Sequence, residues 1–279
     1  MKKIKTFKDF LLEFNVGKIS IENRDKYLEG MSKGIYDKLF FLDKIDVNVL
    51  VDFGSADGHL LNYLSTINSD IKLIGYDIDE NMINMSKKKY PHIHFTDNWE
   101  EIMTLLNSFE YRNKNKGILL SSVIHEVYSY AGGKNTSHFW KQVFNRNFDY
   151  VIIRDMICSS NFGQINPEDI KKVREKSDPK MLQEFEEHWG KIDGSFRTLL
   201  HWLLKYRYAD NWKRELKENY LPITIEYLKT KRIPNDWNII YEEHYLYDFI
   251  KQEVKKDFDI DLKEKTHLKM IIKRKKGEE

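Results

Sequence analysis

The chain has 279 residues, and its 46 Lys and Arg against 44 Asp and Glu leave a formal net charge of +2. That length can bury a sizeable core, while a balance so close to neutral gives no overall attraction to nucleic acid. A single cysteine, Cys158, excludes internal disulfides and CxxC zinc sites, and apolar runs of only strand length exclude a membrane-spanning helix.

Residues 1–46 read as helices, because apolar residues in KDFLLEF and NRDKYLEGMSKGIYDKLFFLDKI recur every three or four positions. They are expected to form an N-terminal helical lid. Lys8, Asp9 and Glu13 interrupt the apolar positions of the basic start, so no signal peptide is expected and the protein is expected to be cytoplasmic. Short apolar runs then alternate with amphipathic stretches. Strands are expected at 47–53, 71–77, 92–95, 117–123 and 150–156, with helices in HLLNYLSTI, ENMINMSKKKY, WEEIMTLLNSF and NTSHFWKQVFNR. This alternation predicts an α/β fold, a mostly parallel sheet with helices on both faces. It stops after Met156. Residues 157–236 are helical and charged, too long for a crossover, and read as an inserted cap. Strands return at 237–246 and 266–274, so the core is expected to comprise 47–156 and 237–275.

VLVDFGSADGHLL, residues 49–61, has the pattern of a strand, a small-residue turn and a helix. A dinucleotide fingerprint needs a second glycine two residues after the first, where this chain has Ala56, and a phosphate loop needs a following Gly-Lys-Ser/Thr. Asp52, before Gly54 and Gly58, would repel phosphate and orient a ligand ammonium. Asp77, at the tip of the second strand, suits the two hydroxyls of a ribose. Ile78 beside it would cover an adenine face, and Asp97 would receive the adenine amino group. Asp79 reads as a helix N-cap, and that role is an alternative for Asp97.

These motifs resemble those of the class I S-adenosylmethionine-dependent methyltransferases: VDFGSADG their first motif, IGYDID their second and FTDNW their third. The resemblance spans 47–156, and THLKMIIKR is similar to their last strand. It implies a Rossmann-like seven-stranded sheet, S-adenosylmethionine as cofactor, and a cofactor site of Asp52, Gly54, Ser55, Ala56, Gly58, Asp77, Ile78, Asp97, Asn98 and Ser121. SSVIHEVYSY, KYRYADNWKRELKENYLP and THLK together bear a looser likeness to a group of uncharacterised bacterial and phage-borne methyltransferases.

Ligands of open α/β sheets lie beyond the carboxyl ends of the strands, which places His125, Glu126 and Tyr128 near the reacting centre. His125 is the candidate base, with a purely structural histidine as the alternative. Arg154 and Asp155 end the fifth strand, as substrate contacts or as an internal ion pair. His92 and His94 lack ligand partners at a convincing spacing, so no metal is expected. In the cap, Arg154's expected partners in holding an acceptor are Tyr206, Arg207, Trp212 and Arg214, where basic and aromatic residues interleave. RNA is therefore the leading acceptor, methylation of a small-molecule metabolite the alternative, and a non-catalytic cofactor- or RNA-binding module a third reading. Leu199, Leu200, Leu203 and Leu204 with Trp202 would equally suit the core face of an ordinary helix.

Overall fold

A computed structural model describes residues 34–131 and 133–275. Of the lid expected over residues 1–46, residues 1–33 lie outside the described residues.

Seven strands form one sheet: β1 (Val49–Phe53), β2 (Lys72–Tyr76), β3 (His94–Thr96), β4 (Lys116–Ser121), β5 (Tyr150–Asp155), β6 (Trp237–Tyr245) and β7 (His267–Arg274). Their order is β3-β2-β1-β4-β5-β7-β6. β7 is antiparallel to both of its neighbours, and the pairings among β1 to β5 are parallel. The sheet is thus mostly parallel, the Rossmann-like α/β arrangement expected from the sequence. Alternate residues feed its two faces. Val49, Val51 and Phe53 join one apolar cluster, while Leu50 joins another with Leu61 and Leu64. Burial on both faces explains why these strands read as unbroken apolar runs.

After α1 (Ile35–Lys38), the crossovers are α2 (His59–Ile67), α3 (Glu80–Lys89), α4 (Trp99–Leu106), α5 (Ile124–Ala131) and α6 (Gly133–Phe144). Asp79 caps α3 as expected, its side chain accepting from Asn81 N. Asn98, not Asp97, caps α4 by accepting from Glu100 N and Glu101 N. The fourth strand stops at Ser121, earlier than expected, and α5 begins three residues later.

Beyond β5 lie α7 (Pro167–Lys176), α8 (Pro179–Trp189), α9 (Phe196–Lys205), α10 (Trp212–Glu215) and α11 (Ile225–Lys231). Both α7 and α8 start with a side-chain cap followed by proline at the first helical position, where the missing N–H has no intrahelical partner to lose. Leu182, Phe185, Leu199, Leu200, Trp202 and Leu203 pack into a separate cluster with Ile250, Val254 and Phe258. Those last three belong to α12 (Asp248–Phe258), between β6 and β7. The helical layer therefore draws on a helix outside the 157–236 insertion. Among the described residues no helix is long and apolar enough to cross a membrane.

Candidate functional site

The turn after β1 passes through Gly54 (φ 83°), Ala56 (φ 47°) and Gly58 (φ 77°). Four of its backbone donors are committed within the protein. Gly54 N and Ser55 N donate to Tyr76 O, Ala56 N to Asp77 Oδ2, and Gly58 N to Ser55 O. A phosphate cradle needs such N–H groups pointing at the ligand, so this turn is unsuited to one. A Cβ on Gly58 would lie 2.5 Å from Phe95 Cζ. Gly58→Ala is therefore expected to lower the melting temperature, because left-handed backbone costs about 1–2 kcal/mol for a residue with a Cβ and Phe95 must also move. A thermal melt checks it.

The turn, β1 and α1 enclose a small cavity of about 30 Å³, lined among others by Asp52, Ser55, Ala56, Ser121 and Lys38. Burial raises the Asp52 carboxyl to about 7, against the pull of Lys38. Burial, then the charge of Arg154, brings the Lys38 ammonium down to about 8, opposed by Asp52, Asp37 and Asp155. The hydroxyls of Ser55 and Ser121 are buried with no hydrogen-bond partner among the described residues. Asp77 sits outside this lining. Its two oxygens accept from Ala56 N and Asp79 N, and burial raises it to about 6. Ile78 is buried. Asp97 is half-buried, and Asn98 is exposed with its carbonyl oxygen spent on the cap, which leaves only its amide for the expected adenine contact.

A second cavity of about 410 Å³ lies between the carboxyl edge of the sheet and the helical layer, and Lys38 lines both. His125 and Glu126 reach it from the first turn of α5. Asp155, fully buried at the end of β5, accepts from Ile124 N and Met156 N and pairs with His125 Nδ1 at 2.8 Å. Because a carboxylate only accepts, the imidazole donates through Nδ1. Burial opposes its charge, but Asp155, Glu218 and Glu126 together raise His125 to about 9. These carboxylates favour the imidazolium over the free base expected from the sequence.

Its Nε2 faces Glu218 Oε2 at 3.9 Å, too far for a hydrogen bond. Glu218 escaped the sequence reading. Its other oxygen accepts from Arg214 and Tyr130, and burial pushes it up to about 8, aided by Glu126 and Glu215 and opposed by Arg214. Arg214 also pairs with Glu126 at 2.6 Å and Glu215 at 3.3 Å. His125, Glu126 and Glu218 bring ligand atoms within 4.8 Å of one another, but the Arg214 guanidinium already supplies the positive charge that a metal ion would bring to the two carboxylates.

Several expected site residues are engaged within the protein. Tyr128 is not part of the second cavity's lining, its hydroxyl accepting from Trp140 and Arg232. Arg154 lines the second cavity, yet Asp37 binds its Nε and Nη2 at 2.7 Å and Ser122 its Nη1. Asp37 also holds Lys269 and Tyr245, so this cluster fastens α1, and with it Lys38, to β5, β6 and β7. Finally, the cap side chains expected to hold an acceptor are mostly committed inward, while Tyr208, Lys213 and Lys217 of the same stretch stay exposed. Trp212 is buried and donates to Glu184, Tyr206 donates to Asp257, and Arg214 is clamped inward. Arg207 lies under Tyr208 and Phe249. Lys205 is buried against the Glu215 and Glu218 carbonyls, closing the end of a short helix as basic side chains do.

No known family profile matches the chain. A 58-residue stretch is 34% identical to the protein provisionally named methyltransferase 235L of Invertebrate iridescent virus 6, covering 20% of this chain and 22% of that one. The match thus spans about a fifth of the relative's length. Among solved structures, the chain is similar to the plantazolicin methyltransferase BamL in complex with a desmethylPZN analogue and SAH (13% identity, 96% and 90% of the two chains, TM-score 0.44). It is also similar to a SAM-dependent methyltransferase from Anabaena variabilis (12%, 99% of both chains, 0.43) and to YcgJ of Bacillus subtilis (11%, 88% and 100%, 0.44).

Proposed function

We propose that the protein transfers a methyl group from S-adenosylmethionine to a small molecule enclosed between the sheet and the helical layer. The observation that carries this reading is the meeting of the two cavities at Lys38, one suited to the amino-acid end of the cofactor and one to an acceptor. Asp52 and Lys38 offer opposite charges to a zwitterion. Ser55 and Ser121 offer buried hydroxyls that await partners, a fit to a polar ligand that a merely structural turn would not need. The remaining lone pairs of Asp77 suit a ribose, Ile78 an adenine face and Asp97 its amino group.

When bound, S-adenosylmethionine supplies a methyl group already activated by its sulfonium. The protein's task is then alignment and exclusion of water, a proximity effect worth up to about 7–11 kcal/mol. Asp155 fixes the imidazole of His125, and His125 and Glu218 form a coupled pair whose basic form takes a proton from the acceptor. Glu126 positions Arg214, which in turn holds Glu218. A volume of about 410 Å³ falls in the range of small-molecule pockets. The inward-turned Tyr206, Trp212 and Arg214 argue for an enclosed acceptor over RNA, and an acid–base pair beside the junction favours an enzyme over a binding module.

Methyl transfer from labelled S-adenosylmethionine into a cell extract, fractionated into RNA, protein and small molecules, tests the reading. Label is expected in the small-molecule fraction. Label that ribonuclease removes would overturn the enclosed acceptor.

A further inference from the structure

Three arginines line the second cavity: Arg154, Arg207 and Arg214. Two are neutralised, Arg154 by Asp37 and Arg214 by Glu126, Glu215 and Glu218. Arg207 differs. Its Nε and Nη1 are shielded from solvent and have no hydrogen-bond partner, and no carboxylate pairs with it among the described residues. The guanidinium packs instead among aromatic rings, 5.0 Å from the Tyr208 centroid, 5.1 Å from Phe249 and 6.0 Å from Tyr206.

A desolvated guanidinium with unmet donors is costly, and cation–π contacts cover its faces without satisfying its N–H edge. The two unmet N–H groups point to different sides of the guanidinium, Nη1 toward Cδ and Nε away from it, so each offers an anion a separate charge-assisted hydrogen bond. The ring walls of Tyr208, Tyr220, Tyr247 and Phe249 line the same cavity. They favour a flat apolar frame behind the anionic group.

We infer that the acceptor is a planar or aromatic carboxylate and that Arg207 binds its carboxylate in the second cavity. The inference deepens the reading of that cavity as the acceptor site and rests on it. A phosphate monoester is the poorer match. One guanidinium with no carboxylate partner balances one negative charge, and Asp210 and Glu215 on the same wall would repel a second.

The test uses benzoate, its neutral isostere benzamide, and phenyl phosphate as probes, titrated calorimetrically into the full-length protein with and without S-adenosylhomocysteine. Benzoate is expected to bind about ten-fold or more tightly than benzamide, the usual worth of hydrogen bonds to a charged group. Arg207→Met should erase that preference while S-adenosylhomocysteine binds as before. Equal binding of benzoate and benzamide, or of benzoate to wild type and variant, would overturn the anion site, as would no binding of any probe. Tighter phenyl phosphate would overturn the carboxylate. If Arg207→Met does not fold, a wild-type crystal soaked in bromide decides. Anomalous density against Arg207 Nε or Nη1 supports the site, and bromide only elsewhere refutes it. S-adenosylhomocysteine that binds while benzoate does not would leave the methyltransferase reading standing without this inference. The reverse would keep the anion site and remove the cofactor.

Discussion

Asp52→Asn is expected to weaken binding of S-adenosylhomocysteine by about ten- to a hundred-fold, the range for losing a charge-assisted hydrogen bond, and at the same time to stabilise the free protein above neutral pH. The two effects share one cause. Burial raises Asp52 from 3.8 to about 7, so between these values the folded state holds a proton that the unfolded state releases. Stability due to this group therefore falls as pH rises from about 4 to 7 and stays low above it. The difference of about three pKa units corresponds to roughly 4 kcal/mol as an upper bound. Lys38 reduces the gain, since it is itself buried and favoured in its charged form by Asp52. Asparagine never ionises and escapes the penalty. The melting temperature of Asp52→Asn relative to wild type should accordingly climb between pH 5 and pH 8. Wild-type affinity for S-adenosylhomocysteine should rise with pH through about 7, as Asp52 ionises to meet the ligand ammonium, and the variant should lack that rise. Equal affinity in a folded variant, or a stability difference that does not change with pH, would remove Asp52 from the site.

Such a carboxyl was legible because its neighbours are. Left-handed backbone at Gly54 and Gly58 selects glycine, and a sheet buried on both faces writes its strands as apolar runs, so turn, strands and fold class follow from sequence. Helix α5 was hidden for the opposite reason. Its turn passes through Ser122 at φ 57° with no glycine to mark it, and the side chain that accepts from Ile124 N comes from Asp155, 31 residues away. Local signals could not reveal a non-local cap. The cap misled differently: Arg207, Arg214, Tyr206 and Trp212 have the composition of a nucleic-acid grip, and composition does not record which way a side chain points. Glu126 lies 88 residues from Arg214 and is equally invisible. One clue was present, because Arg214 and Glu218 stand four apart, a spacing at which opposite charges pair on a helix. That clue leads to Glu218, the carboxyl the sequence reading lacked.

Replacing Glu218 by Gln should therefore lower turnover of the extract-derived acceptor by about 10²–10⁴-fold, the usual contribution of a general base, with little change in the affinity for S-adenosylhomocysteine. His125→Gln should do the same. Their wild-type environments raise Glu218 to about 8 and His125 to about 9, so the proton-accepting form of the pair grows as pH rises above neutral. Wild-type kcat should climb from pH 7 to pH 9, and the climb should vanish in both variants. Stability should move the other way. The folded pKa of His125 lies above its ordinary 6.5, so its contribution is complete below that value and is lost as pH rises through about 9. Maximal turnover and maximal stability would then fall at different pH. Glu126→Gln offers a separate check, since the charge of Glu126 raises both members of the pair and its removal should shift the kcat profile toward acid without abolishing it. A kcat that is flat with pH, retained in Glu218→Gln and His125→Gln alike, would mean that the acceptor has no proton to lose and that alignment beside the sulfonium carries the reaction alone.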